Sequence, residues 1–274
     1  MAVHRNGRAS CCHGARRGTV VIQVVLFDLD DTLTRHVGRP DWDAVTQLQA
    51  AALAPHCARL GLAHLDLDAT IRRFWAAFAV AYPEPELHPD LPMEERRWSD
   101  GPSALRSVLT ERGAMCADDD AICLWEALNS VPWRARYLHL YSDAVATVEA
   151  LRSAGYRLGV VTARALSAAV VAGELREQGM PAEVFEVIVT SGEIGYRKPH
   201  PLILESAAWH LGVQAEQIVV VGDSYEWDIV PAASLGMIPV LKLNDRAPNP
   251  HWILARAQIP TLATLLDLDI LRRL

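Results

Sequence analysis

The sequence predicts a doubly wound α/β fold, a Rossmann-like parallel sheet carrying a helical insertion, on three observations. From residue 137 onward short β-branched runs alternate with longer amphipathic ones, as in repeated strand-helix units. The opening run, 20 to 27, is apolar almost without interruption, as in a strand covered on both faces. The next convincing strand comes only about a hundred residues later, and the stretch between reads as helix.

Taken in order, residues 1–18 (MAVHRNGRASCCHGARRG) are polar, arginine-rich and free of acids, and they lack the apolar stretch of a secretory signal. They read as a poorly ordered extension. The first strand then runs into VVLFDLDDTLT, residues 24–34, where three carboxylates follow an apolar run. In the insertion, roughly 36–136, ATIRRFWAAFAVAY places Ile71, Phe74, Trp75, Phe78 and Tyr82 on one helical face. DWDAVTQLQAAALAPHCARL and DDDAICLWEALNSV behave similarly. Trp42, Trp75, Trp98, Trp125 and Trp133 all fall in this stretch, and large aromatics of this kind are read as packing between its helices. In the second half the strands are YRLGVV, EVFEVIVT, EQIVVVG and MIPVLKL, with helices at about 143–154, 166–178, 201–212 and 226–235, each bounded by glycine, proline or a capping residue.

Composition narrows the function classes. At 274 residues and 51% hydrophobic content the chain can bury a large core, which excludes disordered and collagen-like classes. The net charge is -7, and the first twenty residues hold Arg5, Arg8, Arg16 and Arg17 without an acid, so the body is more acidic still. That balance argues against a nucleic-acid partner. Five cysteines, with only Cys11 and Cys12 adjacent and no paired CxxC spacing, form neither a zinc framework nor a disulfide scaffold, and a reducing, cytoplasmic setting is expected. No apolar run approaches the roughly 20 residues of a membrane-spanning helix, so no membrane partner is expected.

In an open parallel sheet, ligands bind at the carboxyl ends of the strands, and each unusual polar group falls there. Asp28 and Asp30, two apart, can project to one side; the pair fits a metal or acid-base role and equally a solvated turn. In LGVVTAR, Thr162 comes straight after a buried strand, as a hydroxyl donor to a ligand or a cap of the next helix. Lys198 in GYRKPHP precedes Pro199 and is kept out of helical geometry, with Pro201 placed to open the next helix. VVVGDSYEWDIVPAASLGM ends a strand in Gly-Asp, with Asp223 and then Asp228, a pair suited to a hard cation or, for Asp228, to a helix N-terminus.

In conjunction and order these clusters resemble the four motifs of the haloacid dehalogenase superfamily, here DLDDT, VVT, the lysine of RKPHP, and GDSYEWD. The resemblance covers about 20–245 and implies a catalytic core of 19–35 and 137–274 with 36–136 as an α-helical cap. It implies a phosphatase acting on a small phosphorylated metabolite, with Asp28 as nucleophile and Asp30 as general acid and then base. Thr162 and Lys198 would hold the phosphoryl group, with Ala163 and Arg164 beside the substrate. Mg²⁺ would sit on Asp28, the backbone carbonyl of Asp30 and Asp223, with Asp228 in support. Family positions differ in the TAR after the second motif and in Trp227 and Pro231 of the fourth. A sugar-phosphate mutase shares every motif, and a ligand-binding member without turnover is the other alternative. The 2-haloacid dehalogenase branch lacks the second aspartate, so Asp30 and Asp223 argue against it. Arg35, His36, Arg134 and Arg136 flank the insertion and are read as solvated hinge charge. Monomer and homodimer are both left open.

Overall fold

The computed structural model describes residues 21–81, 100–131, 133–164 and 166–271. The expectations for 1–18 and for Tyr82 and Trp98 lie outside these residues. Strand β1 (Val24–Phe27) leads through a tight turn into β2 (Thr34–His36). Four helices follow, α1 (Trp42–Arg59), α2 (Leu67–Ala81), α3 (Asp100–Glu111) and α4 (Asp118–Asn129), then a 3₁₀ turn at Trp133–Arg136 and β3 (Leu138–Leu140). The rest alternates: α5 (Ala144–Ser153), β4 (Arg157–Thr162), α6 (Ala168–Glu177), β5 (Val187–Thr190), α7 (Ser191–Ile194), α8 (Leu202–Leu211), β6 (Ile218–Gly222), α9 (Val230–Ser234), β7 (Ile238–Lys242) and β8 (Ala257–Ile259). Among the described residues no helix is long and apolar enough to cross a membrane.

Six strands form one sheet in the order β5-β4-β1-β6-β7-β8, every neighbouring pair parallel. β1 lies at the switch in connection direction, with Phe27 opposite Val160 of β4 and Val221 of β6. The carboxyl ends of β4, β1 and β6 therefore meet at one edge, the crevice position for a doubly wound sheet. The unbroken apolar character of β1 follows from its two faces. Val25 and Phe27 enter the core that includes Val148 of α5 and Val171 of α6, while Val24 and Leu26 enter the core that includes Ile203 and Ala207 of α8.

The inserted helices make a third core from Leu53, Ile71, Phe74, Phe78, Leu105, Trp125 and Leu128, with Phe74 and Trp125 edge to face at 5.6 Å. Trp42 departs from the packing role assigned to the tryptophans. It is 57% exposed at the start of α1 and meets Trp133 edge-on at 5.2 Å, so this pair sits at the hinge.

The hinge is itself a two-stranded antiparallel ribbon of β2 and β3, with Arg35 opposite His139 and Val37 N donating to Tyr137 O at 2.8 Å. The sequence offered no strand there. Other boundaries also differ. β5 begins at Val187 because Ala182–Val184 forms a 3₁₀ turn, and the helix expected over 226–235 is a π-helical turn, Tyr225–Ile229, followed by α9 with Pro231 in its first turn.

Candidate active site

The turn after β1 is built by its own backbone. Leu33 N and Thr34 N both donate to Leu29 O at 2.9 Å, and Asp31 takes a left-handed conformation at φ 60°. The Asp31 carbonyl is pinned from the end of β7, two strands away, by Lys242 Nζ at 3.2 Å and Asn244 Nδ2 at 2.5 Å. Lys242 is buried, bonds the Asn244 side-chain oxygen as well, and lies over the Tyr141 ring. Burial lowers its ammonium to about 8.

Asp28 leaves β1 buried, its backbone N–H continuing the sheet by donating to Val221 O at 2.8 Å. The buried Lys198 ammonium donates to Asp28 Oδ1 and, at 2.6 Å, to Asp228 Oδ1, while Asp228 Oδ2 accepts from Ser224 N at 3.0 Å. The π-helical turn presents Asp228 this way, since both Asp228 N and Ile229 N close onto Ser224 O. Gly222 makes room for it: a Cβ there would lie 2.3 Å from Asp228 Cγ. Asp223 completes the group, and oxygens of Asp28, Asp223 and Asp228 lie within 4.8 Å of one another.

Three carboxylates around one ammonium leave an excess of negative charge in a buried place. Burial pushes the Asp28 carboxyl up, with Lys198 opposing and Asp228 adding to the shift. Burial, then Asp228 and Asp31, raise Asp223 to about 6. Burial disfavours the Lys198 ammonium, yet Asp228 and Asp28 outweigh it and hold it above its ordinary value. This donor set fits a hard divalent cation, which prefers carboxylate oxygens and would relieve the repulsion that raises Asp28 and Asp223.

Asp30 points elsewhere. Its side chain is outside that cluster, and Arg164 grips it with Nε to Oδ2 at 2.9 Å and Nη2 to Oδ1 at 2.6 Å. Burial would raise the Asp30 carboxyl, but the Arg164 guanidinium overrides it and holds it below the usual carboxylate range. Arg164 Nη1 also bonds Glu174, which is 3% exposed and takes Arg134 Nη1 at 3.2 Å. Arg134 is thus no solvated hinge charge. Its partner is a buried carboxylate forty residues away, a pairing that the local sequence around 134 does not display. Arg35, His36 and Arg136 are exposed as expected.

Thr162, the last residue of β4, is buried, and its Oγ1 has no hydrogen-bond partner among the described residues. A buried hydroxyl left without a partner is costly unless a ligand supplies one. Ala163 and Arg164 carry the chain away from this strand end, Ala163 offering backbone groups alone. A cavity of about 650 Å³ opens between the end of α4 and the face of α6, lined by Asn129, Ser130, Ser167, Val170 and Glu174 among others.

The residues singled out in the sequence therefore converge on the edge where β4, β1 and β6 end. Residues 22–236 match the haloacid dehalogenase-like hydrolase family. The chain belongs to that family. Its α/β architecture agrees with a solved relative, a 2-haloacid dehalogenase from Pseudomonas syringae pv. tomato, to which it is 22% identical with a TM-score of 0.58 over 90% of this chain and 97% of that one. Curated relatives match over a shorter stretch. A glyceraldehyde 3-phosphate phosphatase of Methanopyrus kandleri is 39% identical over 104 residues, and a pyrophosphatase, PpaX, of Bacillus cereus is 33% identical over 96. These matches cover 38% and 35% of this chain and 43% of each relative.

Glu174, Lys242 and Asn244 were missed in the sequence, and Arg134 was noticed there only as hinge charge. For Glu174 a signal exists: it lies on the same face of α6 as the buried Val171 and Leu175, an acid in an apolar stripe. Lys242 likewise interrupts the buried run of β7.

Proposed function

We propose that this haloacid dehalogenase-like hydrolase is a Mg²⁺-dependent phosphatase that hydrolyses a small phosphorylated metabolite through an aspartyl-phosphate at Asp28. The observation that carries the reading is the buried Asp28 carboxylate, held by Lys198 beside Asp223 and Asp228 at the carboxyl edge of the sheet. The phosphatase and pyrophosphatase names of the two curated relatives support it.

Asp28 Oδ attacks phosphorus, and Asp30 gives its proton to the bridging oxygen as that phosphorus-oxygen bond breaks. Asp30 then takes a proton from the water that attacks the phosphorus of the aspartyl-phosphate, releasing phosphate and restoring Asp28. Lys198 balances charge on Asp28 and on the phosphoryl oxygens, and Thr162 Oγ1 donates to one of them, gaining the partner it lacks. Asp28, the Asp30 carbonyl and Asp223 would hold Mg²⁺, with Asp228 supporting, and the cation supplies neutralisation of the phosphoryl charge when bound.

The test is phosphate release from a panel of phosphorylated metabolites and p-nitrophenyl phosphate, with Mg²⁺ and with chelator. Asp28→Asn should lower turnover by roughly 10³-fold or more with the melting temperature retained. Undiminished phosphate release by Asp28→Asn would remove the nucleophile from this reading.

A further inference from the structure

The carboxylate assigned to the leaving group is engaged in this conformation. Both Asp30 oxygens are bonded to Arg164, whose third nitrogen reaches Glu174, whose second oxygen takes Arg134. Signs alternate along this chain and cancel, so burying it together costs far less than burying any member alone. Arg134 lies in the 3₁₀ turn at the second hinge, its guanidinium 4.3 Å from the centre of the Trp133 ring. Trp133 in turn meets Trp42 at the start of α1. A continuous line of contacts runs from the first inserted helix to Asp30.

We propose that Arg134 and Glu174 are positioning residues for Asp30, setting how firmly Arg164 holds it and so coupling the hinge to its availability at the leaving oxygen. This role rests on the phosphatase reading above. A bidentate, charge-assisted clamp is among the stronger side-chain pairings, and Asp30 cannot pass a proton to the bridging oxygen while both its oxygens face Arg164. Glu174 is the rival that draws Arg164 away, and Arg134 divides the attention of Glu174. Neutralising Glu174 therefore tightens the clamp on Asp30, whereas neutralising Arg134 frees Glu174 and loosens it.

The experiment compares kcat on phenyl phosphate with kcat on p-nitrophenyl phosphate, two substrates of similar shape of which only the first has a leaving group that depends strongly on an acid. In Glu174→Gln the ratio of phenyl to p-nitrophenyl turnover should fall by roughly tenfold, part of the 10²–10⁴ that a general acid contributes. In Arg134→Gln it should rise above that of the parent enzyme. Ratios that stay at the parent value, or that move the same way in both variants, overturn the proposal, because a merely structural role changes both substrates alike. Should Glu174→Gln fail to fold, Arg134→Gln decides alone: a ratio that does not rise refutes the coupling. A parent enzyme inactive on both substrates refutes the phosphatase reading itself, and this role with it, an outcome distinct from active enzymes with unchanged ratios.

Discussion

Thr162 carries a hydroxyl buried at a strand end with nothing in the described protein to satisfy it. Replacing it by the nearly isosteric valine removes an atom that already lacks its bond, so Thr162→Val should leave stability within about 1 kcal/mol of the parent or raise it. The same substitution should lower kcat/KM by roughly 10²-fold, since a donor aimed at the phosphoryl oxygen is lost. Equal kcat/KM for parent and variant, read alongside thermal unfolding, would show that the hydroxyl faces no substrate. Asp28, Thr162 and Asp223 were legible as residues because each follows a buried apolar run with a group the core does not want, Lys198 because Pro199 and Pro201 bracket its loop, and Asp228 as the second acid after the Gly-Asp. The Arg134–Glu174 pair was not, because a buried charge is tolerated only through a partner, and that partner is forty positions away.

Among the elements, the π-helical turn at Tyr225–Ile229 aims Asp228 at Lys198, and Gly222 gives it the space. In Gly222→Ala the added methyl would collide with the Asp228 carboxyl group, so the variant should lose about 2–4 kcal/mol of stability, read from denaturant unfolding. It should also bind Mg²⁺ more weakly. A variant as stable as the parent would mean that the turn shifts without strain. The long core strands and helices could be read from sequence because burial on two faces or one imprints a period. β2 and β3 could not: at three residues each, with Arg35 and His36 exposed, they are too short to carry one, and only their pairing defines them. α3 contains Gly101 and Pro102, two residue types that disfavour a helix interior. Pro102 sits in the first turn, where its missing N–H is harmless, and Gly101 is required because Trp125 packs 2.3 Å from where a Cβ would stand.

The whole molecule feels the acidic cluster through its dependence on pH. Asp223 is raised from 3.8 to about 6, and burial raises Asp28 in the same sense. Between those two values the folded protein holds a proton that the unfolded chain has released, so stability declines as pH climbs through that window. With chelator present, thermal stability should therefore drop from about pH 4 to about pH 6 by on the order of 1–2 kcal/mol, allowing for the partial exposure of Asp223. Added Mg²⁺ should raise the melting temperature more at neutral pH than in mild acid, because it favours the deprotonated carboxylates. A chelated protein that grows steadily more stable up to neutral pH would place the excess charge elsewhere.

The ribbon of β2 and β3 has one more consequence. The chain departs into the inserted helices and comes back at two points joined by a backbone hydrogen bond between Val37 and Tyr137, and those helices carry their own apolar interior. To the sheet, whatever lies between these points is a loop whose ends already touch, so its length adds little to the entropy of closing it. The ribbon is in effect a socket: a differently shaped insertion with adjoining ends could be exchanged there while the edge bearing Asp28 keeps its register.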